Sequence, residues 1–200
     1  MEATCRGSGT AGAGEGRLLL ETDELIFRGP ARCRIPLNAI RRVAAEGGRL
    51  VVDYPDGSMQ FELGGAASTW AERIRSPKSR LEKLGIKSGD RVAVIGVRDP
   101  GFDAELATID AKVSRGRVPR DCPTIVFGAS SLADLERLET LKAKMARDGG
   151  IWVVHRKGPA GVKDVEIFAA GKRAGLTATK VARFSETHTA ERLVIPKSLR

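Results

Sequence analysis

The chain reads as two domains, a small antiparallel β domain followed by an α/β three-layer sandwich. Three observations predict this. Residues 17–76 hold about six short apolar runs separated by turn residues, and then one amphipathic helix. Ser76-Pro77 breaks the chain there, because proline has no amide hydrogen with which to continue a helix. From Lys87 onward, continuous apolar runs alternate with helical patterns, as buried parallel strands with crossover helices require.

The elements follow in order. Residues 1–16, MEATCRGSGTAGAGEG, are small, polar and without periodicity, and are expected to form a disordered tail. The β domain spans 17–76. Its runs RLLLE, ELIFRG, RCRIPL, AIRRVAA, RLVVDY and SMQFEL are separated by Thr22-Asp23, Gly29-Pro30, Gly47-Gly48 and Pro55-Asp56-Gly57. In AASTWAERIR, Ala67, Trp70, Ala71 and Ile74 share one helical face, with Trp70 placed to plug an open end of the sheet. The second domain spans 77–200. It opens with the short helix SRLEKLG, closed by Gly85. Strand RVAVIG, helix FDAELATI, strand AKVSR and strand TIVFGA come next. SLADLERLETLKAKMARDGG reads as one long helix, since Leu132, Leu135, Leu138, Leu141 and Met145 recur every three or four residues. The strand IWVVHRKG, the helix VEIFAAGKRAG and a closing antiparallel hairpin, TATKVARFS with ERLVIPK, complete the chain, with ETHTA as the hairpin turn.

Composition removes several function classes. The chain is 42% hydrophobic and 30% charged, which suits a globular protein with a core. Aromatic residues make up only 4%, too few for a base-stacking platform, and no helix-turn-helix, zinc-finger or RNP-like motif appears. This argues against nucleic acid as a partner. Cys5, Cys33 and Cys122 are far apart and lack a neighbouring histidine, so neither a zinc site nor a disulfide framework is expected. No apolar run approaches the roughly 20 residues of a membrane span, and no signal peptide is visible. A cytoplasmic location is the expectation. Residues 1–76 carry 10 Lys/Arg and 10 Asp/Glu, whereas 77–200 carry 24 and 15, so the net charge of +9 belongs to the second domain. That bias points to an acidic partner or an anionic ligand.

Two resemblances follow from these motifs. The strand order with a Trp-bearing terminal helix, the stretch IPLNAIRRV from Ile35 to Val43, and the strand GRLVVDY resemble the pleckstrin-homology-like fold. KLGIKSGDRVAVIG, TIVFGA, LKAKMARDGGIWVVHRKG and AGLTATKV resemble a bacterial domain family of unknown function, itself similar to a shortened class I methyltransferase with a Rossmann-like sheet. The closing hairpin resembles the end of the methyltransferase sheet, where the last strand inserts antiparallel.

In an open parallel sheet, ligands bind beyond the carboxyl ends of the strands. Gly96, Arg98, Asp99 and Gly101 after the first strand, Gly128 and Ser130 after TIVFGA, and Arg156 and Lys157 after IWVVH are therefore the candidate ligand crevice. Its basic residues, with helix N-termini near Phe102 and Ser131, favour an anion. As a methyl-donor loop it departs from the usual pattern twice. Val97 and Arg98 stand where closely spaced glycines are usual, and Ser114-Arg115-Gly116 ends AKVSR without the carboxylate that holds a ribose. Pro100 also removes an amide donor. His155 and His188 have no paired carboxylate in view, so no catalytic residue and no metal ligand is assigned. The resulting expectation is a non-catalytic binding protein without a cofactor, taking a protein partner or a small anion in a degenerate methyltransferase-like crevice. The alternative is a small-molecule S-adenosylmethionine-dependent methyltransferase with an altered loop.

Overall fold

The computed structural model describes residues 1–21 and 23–199. Thr22, half of the expected Thr22-Asp23 turn, and Arg200 lie outside the described residues. The chain divides into two compact units, Met1–Lys78 and Ser79–Arg200, so the division falls beside Pro77.

Unit 1 is a seven-stranded antiparallel sheet. Its strands are β1 (Glu2–Gly9), β2 (Gly12–Leu20), β3 (Glu24–Arg28), β4 (Cys33–Pro36), β5 (Arg42–Glu46), β6 (Arg49–Tyr54) and β7 (Gly57–Glu62), in the order β4-β3-β2-β1-β7-β6-β5. The expected disordered tail is therefore corrected, because residues 2–20 form a hairpin that joins the two halves of the sheet through β1 and β7. The glycines that look like disorder are packing positions. A Cβ on Gly7 would lie 2.8 Å from the Phe27 ring, and one on Gly16 would lie 2.7 Å from it. Phe27 is fully buried there, 5.3 Å from the Phe61 ring. The helix α1 (Ala67–Arg75) buries Ala67, Trp70, Ala71 and Ile74, the face its spacing predicts. Trp70 packs into the core with Leu50, Val52 and Phe61.

Unit 2 has a six-stranded mixed sheet. Its elements are α2 (Arg80–Leu84), β8 (Arg91–Ile95), α3 (Pro100–Ala107), β9 (Lys112–Arg115), β10 (Cys122–Gly128), α4 (Leu132–Leu135), α5 (Leu138–Lys142), β11 (Met145–Arg156), α6 (Asp164–Arg173), β12 (Thr177–Arg183) and β13 (His188–Val194). The order is β12-β13-β11-β10-β8-β9; β9, β8, β10 and β11 run parallel, and β13 lies antiparallel to β11 and β12. Alternate residues of each strand supply two separate cores. Val92, Val94, Val126 and Trp152 pack with α2 and α3 on one face; Ala93, Ile125, Phe127 and Val153 pack with α4, α5 and α6 on the other. These are three layers.

The expected long helix over 131–150 is two short ones, and Met145 already belongs to β11. The leucine spacing explains the break. Leu135, Leu138 and Leu141 recur at three residues and are all buried. In a straight α-helix each step of three turns the side chain by about 300°, so successive leucines would drift off one face. Interrupting the helix keeps all three in the core. Gly149 and Gly150 are consequently strand residues; a Cβ on Gly149 would meet the Pro123 carbonyl at 2.7 Å.

Candidate functional site

The carboxyl ends of β8, β10 and β11 converge with the turn between β12 and β13 around a crevice of about 430 Å³. Gly96, Arg98, Asp99, Gly128, Ser130 and Arg156 of the expected set line it; Gly101 and Lys157 do not. Gly101 lies within the first turn of α3. Lys157 points its ammonium at the carbonyls of Ser185 and Glu186, 2.9 and 3.1 Å away.

The floor is made by two glycines. Gly96 takes φ +69°, which costs glycine nothing, and lets the chain turn off β8. Gly128 needs the absence of a side chain for a different reason, since a Cβ there would stand 2.4 Å from the Gly96 carbonyl oxygen. The two strand ends therefore approach backbone to backbone. Neither Val97 nor Arg98 takes a positive φ, so the loop needs a left-handed residue only at Gly96. Pro100 sits at the first position of α3, where an amide hydrogen would have had no helical partner. Val97, Arg98 and Pro100 thus fit the turn without backbone strain. The missing carboxylate after β9 is a real departure: Arg115 stands at the strand end and pairs with Asp103 at 2.8 Å.

The helix N-termini are occupied by the chain's own carboxylates, which corrects their expected role toward an anion. Asp99 Oδ1 accepts from the Phe102 amide at 2.8 Å. Asp134 Oδ2 accepts from the amides and hydroxyls of both Ser130 and Ser131. These bonds, led by the Ser130 amide, hold the Asp134 carboxyl below the usual carboxylate range. What remains for an anion is Arg98 and Arg156, both exposed and, among the described residues, without an ion pair or hydrogen bond from the side chain.

Arg80 escaped the sequence reading and organises the wall. Its guanidinium reaches Asp99 at 3.1 Å, both Glu105 oxygens at 2.9 and 3.0 Å and the Phe184 carbonyl at 3.1 Å. It also lies over the rings of Phe102 and Phe184. The opposite wall is Ser185, Thr187 and His188. His188 Nδ1 meets the Thr187 hydroxyl at 2.9 Å, and its amide donates to the Ser185 hydroxyl at 3.1 Å. His188 thus has hydroxyl partners and opens β13 rather than sitting inside the turn. The Ser/Thr-rich flank of ETHTA was the available signal.

A second group lies across the sheet. Successive residues of β11 face opposite ways, so Val154 and Arg156 border the crevice while His155 points to the α6 side. There His155 Nε2 is 3.5 Å from Asp164 Oδ1 and 4.0 Å from Glu191 Oε1. His155 and Glu191 are both 3% exposed. Burial pushes the Glu191 carboxyl up to about 7, with the Asp164 charge adding to it, and burial lowers the His155 pKa against the opposing pull of Asp164. Sequence reasoning missed both carboxylates because they lie on other elements.

No family model and no curated protein matches the chain. Solved structures do. The chain is similar to a SAM-dependent methyltransferase from Aquifex aeolicus, 15% identical over 58% of this chain and 87% of that one, with a TM-score of 0.48. It is also similar to a SAM-dependent O-methyltransferase from Thermotoga maritima, 10% identical over 90% and 95% of the two chains, TM-score 0.46. A TehB-like SAM-dependent methyltransferase from Corynebacterium glutamicum is 12% identical over 65% and 96%, TM-score 0.45. Unit 2 is a mixed sheet covered by helices on both faces, with β13 inserted antiparallel as the resemblance implied. The expectation of a non-catalytic binding protein is corrected. The three solved structures just named are described as methyltransferases, against that expectation. No helix among the described residues is long and apolar enough to cross a membrane.

Proposed function

We propose that unit 2 is a small-molecule methyltransferase that uses S-adenosylmethionine in the crevice between β8 and β10. The observation that carries the reading is the crevice at the carboxyl ends of the two central strands, floored by Gly96 and Gly128, which bring main chain and no side chain to it. A site in which backbone must approach a nucleoside-type ligand needs such a floor. The crevice volume of about 430 Å³ lies in the roughly 300–1,000 Å³ range of small-ligand sites.

Arg98 and Arg156 would hold the carboxylate of the methionine portion. Asp99, the one carboxylate lining the crevice among the described residues, is the residue left for the ribose hydroxyls, in place of the strand-end position taken by Arg115. Each Asp99 oxygen already accepts one bond and keeps a lone pair for another. The bound cofactor supplies an electrophilic methyl group. The protein's own part is to position a nucleophile against the Ser185–His188 wall and take its proton. His188, oriented by Thr187, is the base in reach of the crevice. A small substrate with an anionic group suits the positive charge of this half of the chain.

Unit 1 supports a pleckstrin-homology-like reading through its strand order and its terminal Trp70 helix, and we assign it a partner-binding role in a cytoplasmic protein.

The test is thermal unfolding with and without S-adenosylmethionine. At 100 times its Kd a ligand stabilises the native state by about 2.7 kcal/mol, a shift of several degrees for a unit of this size. Gly128→Ala is expected to abolish the shift. No shift with the wild-type protein would remove the reading.

A further inference from the structure

We propose that His155, Asp164 and Glu191 form a binding site for a divalent transition-metal cation. The site joins the end of β11 to β13 and to the first turn of α6, on the opposite side of β11 from the crevice, and is independent of the methyl-donor reading.

Two observations point to a ligand. First, one nitrogen and two carboxylate oxygens gather with all three donor atoms within 4.8 Å of one another. Second, the ring nitrogens of His155 are buried with no hydrogen-bond partner, the only such side-chain atoms among the described residues. Backbone groups of Val162 and Arg156 stand near the ring without reaching bonding geometry. A buried polar group without a partner is costly and rare, and a bound ion is one of its recognised explanations. Here Nε2 is aimed between the two carboxylates.

Geometry and charge specify the class of ion. Metal bonds of about 2.0–2.2 Å to imidazole nitrogen and carboxylate oxygen place tetrahedral donors roughly 3.4 Å apart. The Nε2 spacings of 3.5 and 4.0 Å are near that, and the carboxylate of Asp164, 60% exposed, has the freedom to close the remainder. A neutral imidazole with two carboxylates balances a charge of two. Mixed nitrogen and oxygen donors suit zinc, manganese, iron(II) or cobalt; calcium and magnesium prefer oxygen alone, and copper(I) prefers sulfur. The cavity beside the group, about 550 Å³ and bordered by Gly158, Val162 and Thr189, gives an entry path. It also leaves coordination positions open for water or a ligand oxygen.

The experiment titrates the full-length, chelator-stripped protein with ZnCl2, MnCl2 or CoCl2 alone. Binding is followed by calorimetry and thermal unfolding, and for cobalt by its visible absorption. The expected result is saturation at one ion per chain by at least one of the three, with a raised melting temperature. Asp164 is exposed, so Asp164→Asn keeps the fold, and it is expected to weaken binding about tenfold or more. Glu191→Gln and His155→Asn should remove the cobalt spectrum, while His188→Ala keeps it. Failure of all three ions to bind, a smaller loss in Asp164→Asn, or loss of binding in His188→Ala would overturn the site.

Discussion

Single residues decide how close the two central strand ends can come. Gly128 has an ordinary backbone, yet an added methyl group would sit 2.4 Å from a main-chain oxygen that cannot move independently. Gly128→Ala should therefore cost about 2 kcal/mol in chemical denaturation, as overpacking does. Asp134 is the opposite case, a side chain whose value lies in its bonds. It closes a capping box with Ser131 at the start of α4. Asp134→Asn should cost about 1 kcal/mol at neutral pH. Because the folded carboxyl titrates below its ordinary 3.8, that contribution is present above 3.8 and is lost as pH falls through the folded value. Stability measured at pH 7 and again near pH 2 should show the variant and wild type converging. Cys5 is buried, and burial pushes its thiol up to about 11. It should resist alkylation at pH 8 in the native protein and react once the chain is unfolded, readable by mass spectrometry.

Between elements, Arg80 links α2 to α3 and to the end of β12. Its guanidinium is shared among Asp99, Glu105 and the Phe184 carbonyl, and its plane covers two aromatic rings. The side chain is 12% exposed while its carboxylate partners are more open, so solvent screens part of the pairing. Arg80→Met keeps the apolar stem and removes the charge. The expected loss is about 2 kcal/mol, since two carboxylates lose their partner but remain near water. Trp152 makes a comparable tie from the sheet to α2 through its indole nitrogen and the Leu84 carbonyl at 2.9 Å.

At the scale of the molecule, the chain has two units with separate hydrophobic cores. The segment between α1 and α2 is exposed and carries Lys78 directly before Ser79. Brief trypsin treatment should cut there first, giving fragments 1–78 and 79–200 that retain their circular dichroism. Persistence of the intact chain, or unfolding of both fragments, would count against two self-sufficient cores. Nearly all of the net positive charge lies in the second of these units, so its fragment should bind a cation exchanger far more tightly than the first.

By itself the sequence determined the order and type of most elements. It also determined the break at Pro77, the Trp70 face of α1, and the strand ends that border the crevice of unit 2. These are local matters, because period, turn chemistry and proline act within a few residues. It misjudged residues 1–16 and 131–150 for one physical reason. Glycine-rich and leucine-spaced stretches take their form from what they pack against, Phe27 in one case and the α4–α5 side of the sheet in the other. The closeness of Gly96 to Gly128, the grip of Arg80 on Asp99 and the meeting of His155 with Asp164 and Glu191 were decided only by the tertiary structure. Each joins residues from different elements, and no local pattern encodes a distance across a sheet.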